Sequence, residues 1–114
     1  MKTVTNNPAF QGDVMILRVN DIPAGLTTAK PEGDVFVIAH SETGHHHVID
    51  RAKAEVFEAA DNEFCAFIRV TAEKVDLEHR RSFDTHETLE LPRGDYMVRR
   101  QREYIPEGYR RAAD

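Results

Sequence analysis

The chain reads as short apolar or alternating runs separated by polar breaks that carry glycine, proline, asparagine or aspartate. Gly12–Val19 (GDVMILRV) is compact, apolar and rich in β-branched residues, which predicts a strand buried on both faces. Ile22–Gly33 holds Pro23, Gly25, Pro31 and Gly33 and predicts a loop. Asp34–His40 and His45–Ile49 flank Ser41-Glu42-Thr43-Gly44, the pattern of a hairpin with a four-residue connection. Arg51–Ala60 has a helical composition, but its Glu55-Val56-Phe57-Glu58 core and strand neighbours favour a strand, with Asp61-Asn62 as the next turn. Phe64–Thr71 is aromatic and β-branched. Lys74–His79 alternates, with Val75, Leu77 and His79 on one side and Asp76 and Glu78 on the other. Arg80–Thr85 reads as a polar loop. His86–Leu91 alternates again, and Leu91-Pro92-Arg93-Gly94 has the residues of a tight turn leading into a last strand, Asp95–Tyr104.

Seven or eight short strands at about ten-residue spacing predict an all-β domain, a small antiparallel barrel or sandwich spanning residues 1–114. Residues 1–10 and 106–114 read as an arm and a tail. At 114 residues the chain has room for one core. Hydrophobic residues at 40% and charged residues at 31% suit a globular protein rather than a disordered one. The single cysteine, Cys65, excludes an intrachain disulfide and points to a reducing compartment. With no apolar run long enough for a membrane span and no apolar leader, the expected location is the cytoplasm.

The candidate chemistry lies in the histidines. All six fall between His40 and His86, and five form two groups: His45-His46-His47, and His79 with His86 on either side of a polar loop. On a strand, residues i and i+2 point the same way, so His45 and His47 can present two imidazoles to one ion. His79 and His86 would complete the set, with His40, His46 and Glu78 as further candidates. Nitrogen-rich ligands suit Zn, Fe, Ni, Cu or Mn, and a position left open for water would make the site catalytic. The same groups also fit a polar pocket for a small molecule without metal, or a solvated loop tip.

Two resemblances bear on this. A glycine followed by H-x-H (Gly44, His45, His47), then a Pro-x-Gly turn (Pro92, Gly94) near a further histidine (His86), resembles cupin-like β-barrels. The match departs from that pattern in two places: the nearest acid after H-x-H is Glu55, and His86 precedes the turn. Over most of its length the chain more closely resembles a group of small uncharacterised bacterial proteins. The likeness runs through Gln11-Gly12-Asp13-Val14, Thr43-Gly44-His45-His46-His47, Leu77-Glu78-His79, Leu91-Pro92-Arg93-Gly94-Asp95-Tyr96 and Gln101-Arg102-Glu103-Tyr104. It implies that these motifs belong to one fold, and it carries no function.

Other chemistries have weaker support. Cys65 sits between Phe64 and Phe67, an apolar setting that disfavours a thiolate. Ser41 and Ser82 lack the glycines of a nucleophile elbow, and the six glycines are scattered rather than gathered in a phosphate loop. Between Arg93 and Arg111 six arginines outnumber three acids, with tyrosines interleaved, so Arg99, Arg100 and Arg102 are candidates for binding phosphate or single-stranded nucleic acid. A net charge of −5 argues against nucleic acid as the main partner. A non-catalytic module, homodimeric through its edge strands, is the alternative from another class.

Overall fold

A computed structural model describes residues 2–12, 14–39, 46–59, 62–80 and 88–100, and only the backbone of residues 39, 46, 62–64, 79 and 80. Every helix-or-strand element among them is a strand: β1 (Lys2–Thr3), β2 (Ala9–Gln11), β3 (Val14–Val19), β4 (Thr27–Thr28), β5 (Val35–Ala39), β6 (His46–Asp50), β7 (Ala54–Ala59), β8 (Asn62–Arg80) and β9 (Leu89–Arg100). The main path of the sheet is β2-β3-β9-β8-β6-β5. β7 pairs with the first half of β8, β4 pairs with β7, and β1 runs parallel to β9. The other pairings are antiparallel, and the sheet curls into a half-barrel. Among the described residues no helix is long and apolar enough to cross a membrane.

Alternation explains the inner face. Val14 and Ile16 on β3, Val56 on β7, Ile68 and Val70 on β8, and Tyr96 and Val98 on β9 are buried and join one apolar cluster. Past the middle of the two long strands the cluster continues through Val75, Leu77, Leu89 and Leu91. β3 is buried on one side and half-buried on the other, rather than enclosed on both as its apolar run suggested. Its neighbour β2 is a short edge strand, and the second face of β3 is not covered to the same depth. Residues 2–4 lie against β9, and residues 9–11 form β2. Lys2 N donates to Thr88 O at 3.1 Å, Val4 N donates to Glu90 O at 2.8 Å, and Val4 is buried.

The long strands depart most from the sequence reading. Leu91-Pro92-Arg93-Gly94 is not a turn between two strands but the interior of β9, and Phe64–Thr71 and Lys74–His79 are one strand, β8. The register explains why turn residues stand there. Val70 pairs with Gly94 and Lys74 with Pro92, so three residues of β8 span one residue of β9. Such a bulge bends both strands, and a proline is tolerated at one because it has no N–H to give the ladder. The bulged backbone is bonded sideways: Thr71 N and Ala72 N donate to Lys53 O at 3.0 and 3.2 Å, and Arg93 Nε donates to Ala72 O at 3.1 Å.

On the inner side of this bend, the Arg18 guanidinium donates to Arg93 O (2.8 Å) and to the Tyr96 hydroxyl (3.1 Å), and the Tyr96 hydroxyl donates to Pro92 O. Arg18 also lies 5.5 Å from the Tyr96 ring centroid. Gly94 has φ +145°, and a Cβ there would stand 2.6 Å from Arg18 Nη2.

Two outcomes follow. Gly94→Ala strains the backbone and displaces the guanidinium, and should cost about 1–3 kcal/mol in a denaturant titration. Burial holds the Tyr96 phenol above its ordinary value of 10.0. The folded state therefore keeps a proton that the unfolded state releases, and stability present below about pH 10 is lost as pH rises through the raised value. Tyr96→Phe should lower the neutral-pH stability by about 1 kcal/mol and flatten that alkaline loss, as measured by unfolding midpoints across pH.

Candidate functional site

Gln11 and His47 are the buried polar residues of the described part, and they touch. His47 lies on β6 two positions before Ile49, a core residue, so alternation carries its ring to the inner face. Gln11 lies on β2 two positions after the buried Ala9. The Gln11 amide Nε2 donates to Leu77 O at 2.8 Å, and its Oε1 lies 2.9 Å from His47 Nδ1. A backbone carbonyl only accepts, so the amide nitrogen faces Leu77 and the amide oxygen faces the imidazole. His47 Nδ1 therefore carries the proton, and in the neutral ring Nε2 is the basic nitrogen.

This pair has structural weight. β2 starts the main path of the sheet, whereas β6 and β5 end it. One glutamine side chain thus fastens the first strand to β6 and β8 across the curl.

The register places the sequence-predicted histidines as follows. His79 is the Cα partner of His47, and His46 is the partner of Arg80. Directly opposed residues of an antiparallel pair share a face with Cβ atoms about 5 Å apart. On the other side of β6, Ala39 pairs with His47 just after an irregularity of β5 between Val37 and Ala39. One extra residue there, Ile38, re-aims the strand beside the histidine row. His40, His45 and His86 lie outside the described residues, as does Arg102. Among the described residues there is no group of three or more His, Cys, Asp or Glu side chains gathered to hold a metal ion.

The remaining candidates lie apart from His47. Glu78 is exposed and pairs with Val48, one position off the His47–His79 row, so it belongs to the opposite face. There it lines a groove of about 540 Å³ together with Asp34, Asp50, Asp76, Arg51 and Lys53. Arg99 and Arg100 are neighbours on β9, and strand alternation sends them to opposite faces.

Gln11 had no assigned role in the sequence reading beyond its place in a shared motif. A polar residue two positions from an alanine in a short run gives no sign of inward burial until its partners are known.

Residues 10–101 match the model of a domain of unknown function, DUF8820, and the chain belongs to that family. This agrees with the likeness to a small uncharacterised group. No curated protein and no solved structure matches the chain. The cupin-like resemblance loses one of its two supports, because the Pro-x-Gly element is strand interior.

Gln11→Leu removes both hydrogen bonds of the fastening and leaves an imidazole N–H in an apolar setting. It should cost about 2–4 kcal/mol in equilibrium unfolding, more than a surface glutamine would.

Proposed function

We propose that the chain binds a divalent transition-metal ion beside the β6–β8 pairing, with His47 and His79 as ligands. The observation that carries the reading is the direct pairing of these two residues in the β6–β8 register, with His47 Nδ1 bonded to the Gln11 amide. A ligating histidine ordinarily donates its second ring N–H to a fixed acceptor, which sets the tautomer and directs the basic nitrogen at the ion. Gln11 serves as that acceptor. Imidazoles on opposed strand positions are close enough to share an ion at the usual distance of about 2.0–2.1 Å. His45, two positions before His47, and His86 are the candidates for the remaining ligands. Zn, Fe, Ni, Cu and Mn all suit such a nitrogen set, and Zn or Cu would bind more tightly than Mn.

Protein prepared without an affinity tag and reconstituted with Zn²⁺ should carry about one equivalent per chain by elemental analysis. His79→Ala and His47→Gln should each abolish stoichiometric binding while circular dichroism keeps its strand signal. Gln11→Leu should weaken binding about 10- to 100-fold without abolishing it. His46→Ala, one position off the row, should leave it unchanged. A parent protein that takes up no stoichiometric metal, or a His47→Gln and His79→Ala double variant that retains it, overturns the reading. The Gln11–His47 contact would then be a structural fastening alone.

A further inference from the structure

The outer face of the sheet is not a polar surface. Residues that alternate with the buried inner rows form a continuous apolar ladder: Phe57 pairs with Phe67, Phe67 with Met97, and Met97 with Leu17, across four strands. All four are half-buried. A second row lies two residues along the strands, where Cys65 pairs with Arg99, Arg99 with Met15, and Met15 with Phe10. Phe10 is 54% exposed and is the large exposed hydrophobic residue of the described part. On the other side of the ladder, Glu55 pairs with Arg69, Arg69 with Asp95, and Asp95 with Val19, and Arg69 Nε bonds Asp95 Oδ1 at 3.1 Å.

We infer that this face packs against the same face of a second copy of the chain. The charge pattern selects a copy over an unrelated partner. Asp95, Met97 and Arg99 occupy successive outward positions of β9, with the acid and the base at equal distances on either side of Met97. A twofold axis along the apolar ladder reverses strand direction in the second copy. It sets Asp95 opposite Arg99, Arg99 opposite Asp95, and Met97 against its own counterpart. The same operation brings Val19 of β3 over Met15, and the exposed Phe10 ring falls beside that contact. Two sheets meeting in this way pack about 10 Å apart with strands inclined by about 30°. Each copy thereby presents a self-complementary surface, as a twofold interface requires. The apolar patch spans four to five strands, about 20 Å across, which makes a small interface and a dimer that responds to dilution.

Charge exchange tests the pairing. In sedimentation equilibrium over roughly a hundredfold range of concentration, the parent chain should pass from monomer to dimer. Met97→Lys should raise the dissociation constant at least about tenfold with the strand signal unchanged. Arg99→Asp presents acids at both ends of the motif and Asp95→Arg presents bases at both, so each alone should be monomeric. Mixed in equal amounts, the two should form a heterodimer, because every acid then meets a base. A parent that stays monomeric at every concentration overturns the inference and gives the face to its own chain or to a different protein. A dimer indifferent to Met97→Lys and Arg99→Asp overturns it as well and moves the interface to an edge strand. A mixture that stays monomeric excludes the twofold register proposed.

Discussion

The structure depends on the bend shared by β8 and β9. Two strands of this length would make a flat ribbon with two exposed faces if they ran straight. The unequal count of residues between Val70–Gly94 and Lys74–Pro92 turns the ribbon over itself, so that one continuous alternation can face one interior. Everything that keeps the bend sharp is polar and local: the Lys53 carbonyl collects the bulged amides, and Arg18 spans Arg93 O and the Tyr96 hydroxyl. Hydrophobic burial stabilises the interior that results. The bend decides which residues share it.

The strands were legible in the sequence because period-two alternation survives in most of them. Val75 and Leu77 on one side of Asp76, and Leu89 and Leu91 on one side of Glu90, read correctly without coordinates. The Leu91–Gly94 segment misled because a tight turn and a bulged strand ask for the same residues. Proline lacks a ladder donor in either setting, and glycine accepts a positive φ in either. Only the partner strand distinguishes them, and local sequence does not report it. Within the ambiguous Arg51–Ala60 segment, Ala54–Ala59 is a strand, since helical composition is a weak preference against a ready pairing edge.

The candidate site was legible in part for a related reason. Histidine spacing sets His45 and His47 on a common side without saying which, and the register adds that His79 stands opposite His47. Gln11 was invisible, because its role exists only across the curl between sequence-distant strands. Glu78, next to His79 in sequence, stands on the other side of β8 from the His47–His79 row, as the alternation of Lys74–His79 predicts. The outer apolar ladder was also obscured. Its members sit in four separate runs, each of which looks like an ordinary strand with one or two surplus hydrophobic residues.

The contact between Gln11 and His47 bears on how the curl of the half-barrel is held together. A carboxamide neither gains nor loses a proton near neutrality, and its oxygen accepts from Nδ1–H whether the ring is neutral or cationic. The seam hydrogen bond between β2 and β6 therefore does not itself depend on the charge of the ring. A carboxylate in the same place would have tied the seam to the charge of the ring. The amide oxygen instead gives His47 Nδ1–H a neutral acceptor inside the half-barrel.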